Sequence, residues 1–135
     1  MSEQEIPPWL REQLSRLQQL QQNLQAILMQ KQQIEVESIE TTKALEELKK
    51  LGEEDVVYKS AGPLLIKTKK NDALKELEER KELSNTRLMV LGKQEARVKE
   101  NLKEVETKIN EMIRINQGQT GSDLGSGGTP SVSGS

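Results

Sequence analysis

The side chains that most often carry out chemistry in proteins are scarce in this sequence and are not grouped as catalysis requires. The 135 residues include no histidine and no cysteine, which removes the usual general base at neutral pH, thiolate nucleophiles and most zinc sites. Carboxylates do occur in neighbouring pairs, at Glu46-Glu47, Glu53-Glu54 and Glu78-Glu79. Such pairs act as catalytic acids and bases when a pocket perturbs their pKa, whereas these lie in predicted helices or beside a turn. We therefore expect charged surface, no enzymatic activity, no metal and no cofactor.

Other binding chemistries are also excluded. The sequence contains no glycine-rich phosphate loop, so nucleotide hydrolysis is not indicated. The net charge of -2 provides no basic footprint for nucleic acid. There is no apolar run of about 18 residues, and the N-terminal MSEQEIPPW does not have the pattern of a signal peptide. We expect a soluble, cytoplasmic protein that binds neither nucleic acid nor a membrane.

The composition favours long helices over a rounded core. Hydrophobic residues make up 33% of the chain and charged residues 31%, and the only aromatic residues are Trp9 and Tyr58. Since aromatic side chains supply much of the buried area of a compact core, this chain is expected to bury a narrow helical seam instead. The predicted fold class is mainly α.

Two segments carry apolar residues in steps that alternate between three and four, as in a coiled coil. The first segment is predicted to be a helix over about 8–51, and its seam is Leu10, Gln13, Leu17, Leu20, Leu24, Ile27, Lys31, Ile34, Ser38, Thr41, Leu45 and Leu48. The second is predicted to be a helix over about 72–115, with the seam Leu74, Leu77, Lys81, Ser84, Leu88, Leu91, Glu95, Val98, Leu102, Val105, Ile109 and Met112. If the two helices pair antiparallel, the residue numbers of facing seam positions always sum to 122, from Leu48 with Leu74 to Leu10 with Met112. The sequence predicts a long antiparallel two-helix coiled coil.

Four layers of this seam contain a charged residue, a serine or a threonine. In two of them polar residues meet and form a hydratable zone: Thr41 with Lys81, and Ser38 with Ser84. In the other two a charged residue faces an apolar one, so its charged head is expected to extend outwards: Lys31 against Leu91, and Glu95 against Ile27.

A short segment between the helices, DVVYKSAGPLLIKT over residues 55–68, predicts a β-hairpin. Gly62 accepts a positive φ and Pro63 fixes the start of the returning strand. Apolar residues stand at consecutive positions in both arms, hence on both faces. Because a lone hairpin with free edges is at best marginal in water, we expect it to join hairpins of other subunits. The predicted assembly residues are Val56, Val57, Tyr58, Leu64, Leu65 and Ile66. The alternative is a β-connector that folds back onto the coiled coil.

The run VYKSAGPLLIK at residues 57–67, between two long heptad helices, resembles the beta class of prefoldin subunits. The glutamine- and leucine-rich first helix and the segment KALEEL at residues 43–48 are also similar to that family. The resemblance covers roughly residues 9–115, and a single hairpin matches the beta class rather than the alpha class. It implies a hetero-hexamer of two alpha-class and four beta-class subunits whose hairpins form a β-barrel hub. It also implies an ATP-independent chaperone that holds unfolded client proteins and passes them to a group II chaperonin.

The ends of the predicted coiled coil carry more apolar residues than a two-helix seam needs. We expect clients to bind there, at Ile6, Trp9, Leu10, Leu14, Ile109, Met112, Ile113 and Ile115. Trp9 has an alternative role as a hydrophobic plug that caps the coiled coil. Frayed ends alternate between such states, so the two roles are compatible.

Several other features leave their function open. Residues 17–30 carry no charge, which would suit either a client surface or an ordinary solvated face. Five apolar residues lie outside the seam and fit either a second client patch or a contact with a neighbouring subunit: Val36, Ile39, Leu83, Met89 and Val90. A different class of function is a coiled-coil scaffold that pairs with a partner through its hairpin. Residues 1–116 are predicted to form one domain, followed by a disordered Gly/Ser-rich tail over 117–135.

Overall fold

The computed structural model describes residues 6–123, and the side chains of residues 6–117. Helix α1 spans Pro8–Lys49, strand β1 Val57–Ala61, strand β2 Leu64–Thr68 and helix α2 Lys70–Asp123. The predicted fold of two long helices joined by an antiparallel hairpin is confirmed. The described residues divide into two compact units: a hairpin unit, residues 26–95, and a terminal unit, residues 6–25 with 96–123.

Helix α1 begins and ends close to the predicted positions. Pro8 is its first residue, where a missing backbone N–H costs no helical hydrogen bond. The carbonyl of Pro7 accepts hydrogen bonds from the amides of Leu10 and Arg11. The helix ends at Lys49, and Leu51 then donates its amide to the Leu48 carbonyl at 3.1 Å. A tightened last turn of this kind satisfies carbonyls that the helix leaves without partners.

Helix α2 is longer than predicted at both ends. It begins at Lys70 rather than at about 72, and it continues to Asp123 rather than to about 115. The sequence assigns residues 117–123 to the tail, and the structure continues α2 through them to Asp123. Residues 124–135, the rest of the predicted tail, lie outside the described residues.

The predicted seam is the side of each helix that the structure removes from solvent. All the seam positions of both helices are buried or half-buried, including the polar ones. Ala73 is also buried, at 8% exposure, and was not among the predicted positions. The two most buried polar residues are Thr41 and Ser84, each 6% exposed. The hydroxyl of Thr41 donates to the carbonyl of Glu37 at 2.9 Å, so its own helix satisfies it where we expected hydration.

Lys31 and Glu95 correct the expectation that charged seam residues extend outwards. Lys31 Nζ donates to Glu95 Oε1 at 2.8 Å, and the two side chains are 27% and 15% exposed. In the predicted pairing each of these two residues faces an apolar residue. Their long side chains nevertheless span the offset between neighbouring layers and meet diagonally. The hydrogen bond raises the pKa of Lys31 above its usual value, against the opposing effect of desolvation.

This ion pair predicts a stability difference that depends on pH. Lys31→Met removes the ammonium group that Glu95 binds in the seam and is expected to lower the thermal midpoint. The pKa of Lys31 is raised in the folded state. The stability that its charge contributes is therefore complete at pH values below the usual pKa of 10.5, and it is lost as the pH rises through the raised pKa. Thermal melts of both proteins from pH 7 to pH 11 should therefore converge only at the alkaline end. A midpoint difference that disappears near neutral pH would contradict this account. The double variant K31M/E95M serves as the control and should recover stability.

The hairpin pairs Val57 with Thr68 and continues in register to Ala61 with Leu64. Gly62 in the connecting turn has a φ of 61°, in the left-handed region that residues with a Cβ avoid. A Cβ at this position would meet no atom within 4 Å. The requirement for glycine here is therefore conformational and not steric.

Replacing Gly62 by alanine should cost about 1–2 kcal/mol in the free energy of unfolding, the typical penalty for a left-handed residue with a Cβ. Gly62→Asn is the matched control, since asparagine adopts this conformation more readily. Chemical denaturation of the two variants measures the difference. An alanine variant as stable as the parent would show that the turn changes its conformation without cost.

Candidate functional sites in the hairpin unit and the terminal unit

The two faces of the hairpin have different surroundings. Residues paired across antiparallel strands share a face, so Val57, Ala61 and Thr68 lie on one face and Tyr58 and Leu65 on the other. We call these the first face and the second face. On the first face Val57, Ala61 and Thr68 are half-buried, but Leu64 and Ile66 are 63% and 43% exposed. On the second face Tyr58 and Leu65 are 58% and 72% exposed.

The first face lies over the helix ends of the hairpin unit. Hairpin residues Val57 and Ala61 line a cavity of about 720 Å³ together with Leu48, Ala73 and Leu77 of the helices. The helices therefore cover this face only in part, because Leu64 and Ile66 on it are 63% and 43% exposed. Both the association of hairpins and the fold-back alternative are compatible with this arrangement.

Polar contacts hold the hairpin in this position. Lys70 Nζ donates to the carbonyl of Leu51 at 2.6 Å, and Asp55 accepts a hydrogen bond from the amide of Gly52 at 2.6 Å. Lys59 on the first face lies 3.5 Å from the carboxylate of Glu76. The Lys70 and Lys59 contacts join the connecting segment and the hairpin to α2, and the Asp55 contact closes a turn within the connecting segment.

The predicted assembly residues are mostly exposed in the single chain. Only Val57 is half-buried, and Val56 precedes β1 instead of belonging to it. The exposed members are Val56 at 55%, Tyr58 at 58%, Leu64 at 63%, Leu65 at 72% and Ile66 at 43%. An apolar surface of this kind, on a two-stranded sheet with both edges open among the described residues, is typical of an association site.

The terminal unit has a small apolar core of its own. Leu20, Val105 and Ile109 are buried at 8%, 5% and 7% exposure. Partly buried residues pack against them from both helices: Leu10, Leu17, Val98, Leu102 and Ile113. The seam of this unit is therefore closed in the described structure.

The predicted client-binding residues fall into two groups. Leu10, Ile109 and Ile113 belong to the core of the terminal unit, while Trp9 and Met112 are half-buried. Exposed apolar surface comes from the remaining three residues: Ile6 and Leu14, each 39% exposed, and Ile115, 62% exposed. Sequence reasoning did not separate these groups, because a heptad position alone does not show how far a residue near a helix end is covered.

The described residues include no group of three or more acidic side chains placed to hold a metal ion. Within the same part of the chain, no helix has an apolar stretch long enough to cross a membrane. The acidic pairs at Glu46-Glu47 and Glu78-Glu79 lie in α1 and α2, and all four residues are exposed. This agrees with their interpretation as charged surface.

Comparison with known proteins agrees with this architecture. Residues 11–116 match a family model described as prefoldin subunit. The chain is 41% identical over 111 residues to the prefoldin subunit beta of Pyrococcus furiosus, covering 82% of this chain and 95% of the relative. It is 43% identical over 115 residues to the prefoldin subunit beta of Thermococcus onnurineus, covering 85% and 99%.

Solved structures show the same relationship. The crystal structure of the prefoldin beta subunit from Thermococcus strain KS-1 superposes with a TM-score of 0.73 at 40% identity, covering 81% of this chain and 96% of that one. The beta2 subunit from the same strain gives a TM-score of 0.61 at 25% identity, covering 67% and 97%. With two long helices, a single hairpin and these relatives, the chain belongs to the prefoldin family as a beta-class subunit.

Proposed function

We propose that this beta-class subunit assembles with further beta subunits and with alpha-class subunits into a hetero-hexamer that holds non-native proteins. The hairpin is the assembly element, and its strands join those of other subunits in a β-barrel hub. The terminal unit contacts the client. The complex works in the cytoplasm without ATP and delivers its clients to a group II chaperonin.

The observation that carries this proposal is the apolar surface left exposed in both units of a prefoldin-family chain. In the hairpin unit Tyr58 and Leu65 on the second face and Leu64 on the first are exposed beside open strand edges. In the terminal unit Leu14 and Ile115 remain exposed next to a closed core. Each surface gains free energy when a partner removes it from water.

The division of roles follows from the chemistry of the two surfaces. Strand edges offer directional backbone hydrogen bonds, which select a strand of fixed geometry and suit a permanent neighbour. Exposed aliphatic side chains near helix ends have no such direction, and they suit varied unfolded chains. Met112 is flexible and polarisable, which helps a surface adapt to different partners.

Independence from ATP is supported by the sequence, which has no glycine-rich phosphate loop. Holding a client then requires only that its apolar segments bind the chaperone complex more tightly than they bind one another. Release would follow when the chaperonin offers a competing surface.

The test is an aggregation assay in a buffer without nucleotide. A chemically unfolded protein is diluted into the full-length chain reconstituted with an alpha-class subunit, and light scattering is recorded. We expect suppressed scattering that does not change when ATP is added, and release of the client when a group II chaperonin is supplied. An assembled complex that leaves scattering unchanged would favour the scaffold alternative.

A further inference from the structure

The start of α1 lacks the usual features of a helix N-terminus. The helix begins at Pro8, and the residue before it, Pro7, has no side-chain oxygen that could accept a hydrogen bond from the first turn. The first turn contains no acidic residue, although acidic side chains are favoured at this positive end of a helix. Ile6 and Pro7 each precede a proline, which disfavours the helical conformation, and neither is helical. The chain therefore enters α1 without a side-chain cap.

Arg11 makes the contact that fixes how the chain enters the helix. If Pro8 is counted as the first helical position, Arg11 is at the fourth, and Ile6 directly precedes the cap position at Pro7. In a hydrophobic staple these two positions carry apolar side chains that pack together and fix the entry angle of the chain. Here Arg11 Nη2 instead donates to the backbone carbonyl of Ile6 at 3.2 Å. The contact at the staple position is thus polar, and it holds the backbone of Ile6 and not its side chain.

An arginine at this position has an electrostatic cost. A positive charge near the positive end of the helix macrodipole is unfavourable, and a leucine at residue 11 would avoid that cost and complete a hydrophobic staple. Where a sequence breaks a local rule of this kind, a functional reason is expected. The two contacts differ in one consequence. A leucine would cover the side chain of Ile6, whereas with Arg11 this side chain is 39% exposed.

We propose that Arg11 is a positioning residue of the client site, which fixes the backbone of Ile6 and leaves its side chain free for an apolar segment of the client. Leu14, also 39% exposed, follows Arg11 by three residues and lies on the same side of α1. Fixing the segment before the client binds reduces the conformational entropy that binding would cost. The inference rests on the function proposed above and adds to it the residue that presents one of its contacts.

Arg11→Leu separates this role from a purely structural one. The substitution replaces the polar contact by a hydrophobic staple, so the thermal midpoint should stay the same or rise. The concentration of complex needed for half-maximal suppression of aggregation should nevertheless increase about fivefold, because the helix then covers the side chain of Ile6. Arg11→Lys keeps a donor for the Ile6 carbonyl and should remain within about twofold of the parent. If Arg11 served stability alone, R11L would protect clients as well as the parent does.

Two control variants show whether Arg11 acts through Ile6. Arg16→Leu makes the same substitution at an exposed position further along α1 and should leave client protection unchanged. Ile6→Ala already lacks the side chain that Arg11 is proposed to present, so adding R11L to I6A should cause no further loss. The same additional loss in both backgrounds would show that Arg11 acts by another route.

The exposure of residue 6 is measured without a client. Because the chain contains no cysteine, Ile6→Cys introduces a single thiol and leaves the backbone carbonyl of residue 6 in place. The assembled protein is treated with a thiol reagent, and the rate of its reaction is recorded. We expect the rate to fall several-fold when R11L is added to I6C and to stay unchanged when R16L is added.

The proposal is overturned if R11L protects clients as well as the parent, if R11L and R16L lose protection equally, or if the thiol of I6C reacts at the same rate with and without R11L. A parent complex that protects no client would instead contradict the chaperone function proposed above. The thiol rates would then still decide whether Arg11 keeps residue 6 exposed.

Discussion

Replacing Leu65 by aspartate is expected to dissociate the assembly while leaving the single chain folded. Leu65 is 72% exposed on the second face of the hairpin, so a charge at this position meets only water in the free chain. In a hub built from hairpins the same charge would be buried without a partner, at a cost of several kcal/mol per subunit. Since every 1.4 kcal/mol changes an equilibrium constant tenfold, assembly should fail at micromolar concentrations.

Sedimentation or light scattering of the complex with an alpha-class subunit measures this effect, and circular dichroism confirms that the helices remain. Met29→Asp is the matched control, because Met29 is 64% exposed on α1 and outside the hairpin. If L65D assembles like the parent protein, the second face does not take part in the hub. Val57→Asp would be a poorer test, since Val57 is half-buried over the helix ends and its replacement would also disturb the fold of the single chain.

The second large effect is expected in the terminal unit, where L14S/I115S should weaken client binding without changing assembly. Both side chains are exposed, at 39% and 62%, and neither belongs to the core around Leu20 and Val105. At ~25 cal/mol per Å² of apolar surface, losing the burial of both is worth about 2 kcal/mol, or roughly thirtyfold in Kd. Several subunits holding one client would increase the loss further.

The measurement is the concentration of complex needed for half-maximal suppression of aggregation. Leu51→Ser, at a site 36% exposed in the hairpin unit, is the control. Equal protection by L14S/I115S and the parent would show that clients bind elsewhere. Deleting residues 1–10 and 109–135 would be a less specific test, because it also removes Leu10 and Ile109 from the core of the terminal unit.

Trp9 provides a separate readout, since it is the only tryptophan in the chain. It is half-buried in the free subunit, a position consistent with either of its two expected roles. If Trp9 contacts clients, its emission should shift to shorter wavelength when an unfolded protein without tryptophan is added. An unchanged spectrum during effective protection would favour the role as a plug.

The seam shows how much of this fold is predictable from sequence. A repeat of three and four residues determines which side of a helix is buried, and the predicted positions from Leu10 to Leu48 are all buried or half-buried. The repeat says nothing about side-chain reach along the seam. For that reason it missed the contact of Lys31 with Glu95, whose long side chains span the offset between their layers.

The hairpin shows a second limit of sequence reasoning. Alternation along the strands identified apolar residues on both faces, but the choice of the covered face depends on where the turn places the strands over the helix ends. Val57 and Ala61 were therefore not distinguished from Leu65 before the structure was known.

The central claim is that this beta-class subunit forms its functional assembly with alpha-class subunits through the hairpin. Native mass measurement of the full-length chain, alone and after mixing with an alpha-class subunit, tests it most directly. We expect the mixture to give one dominant species with the mass of two alpha-class and four beta-class chains, and the L65D mixture to give only smaller species. A mixture in which the two subunits keep the masses they have alone would contradict the account.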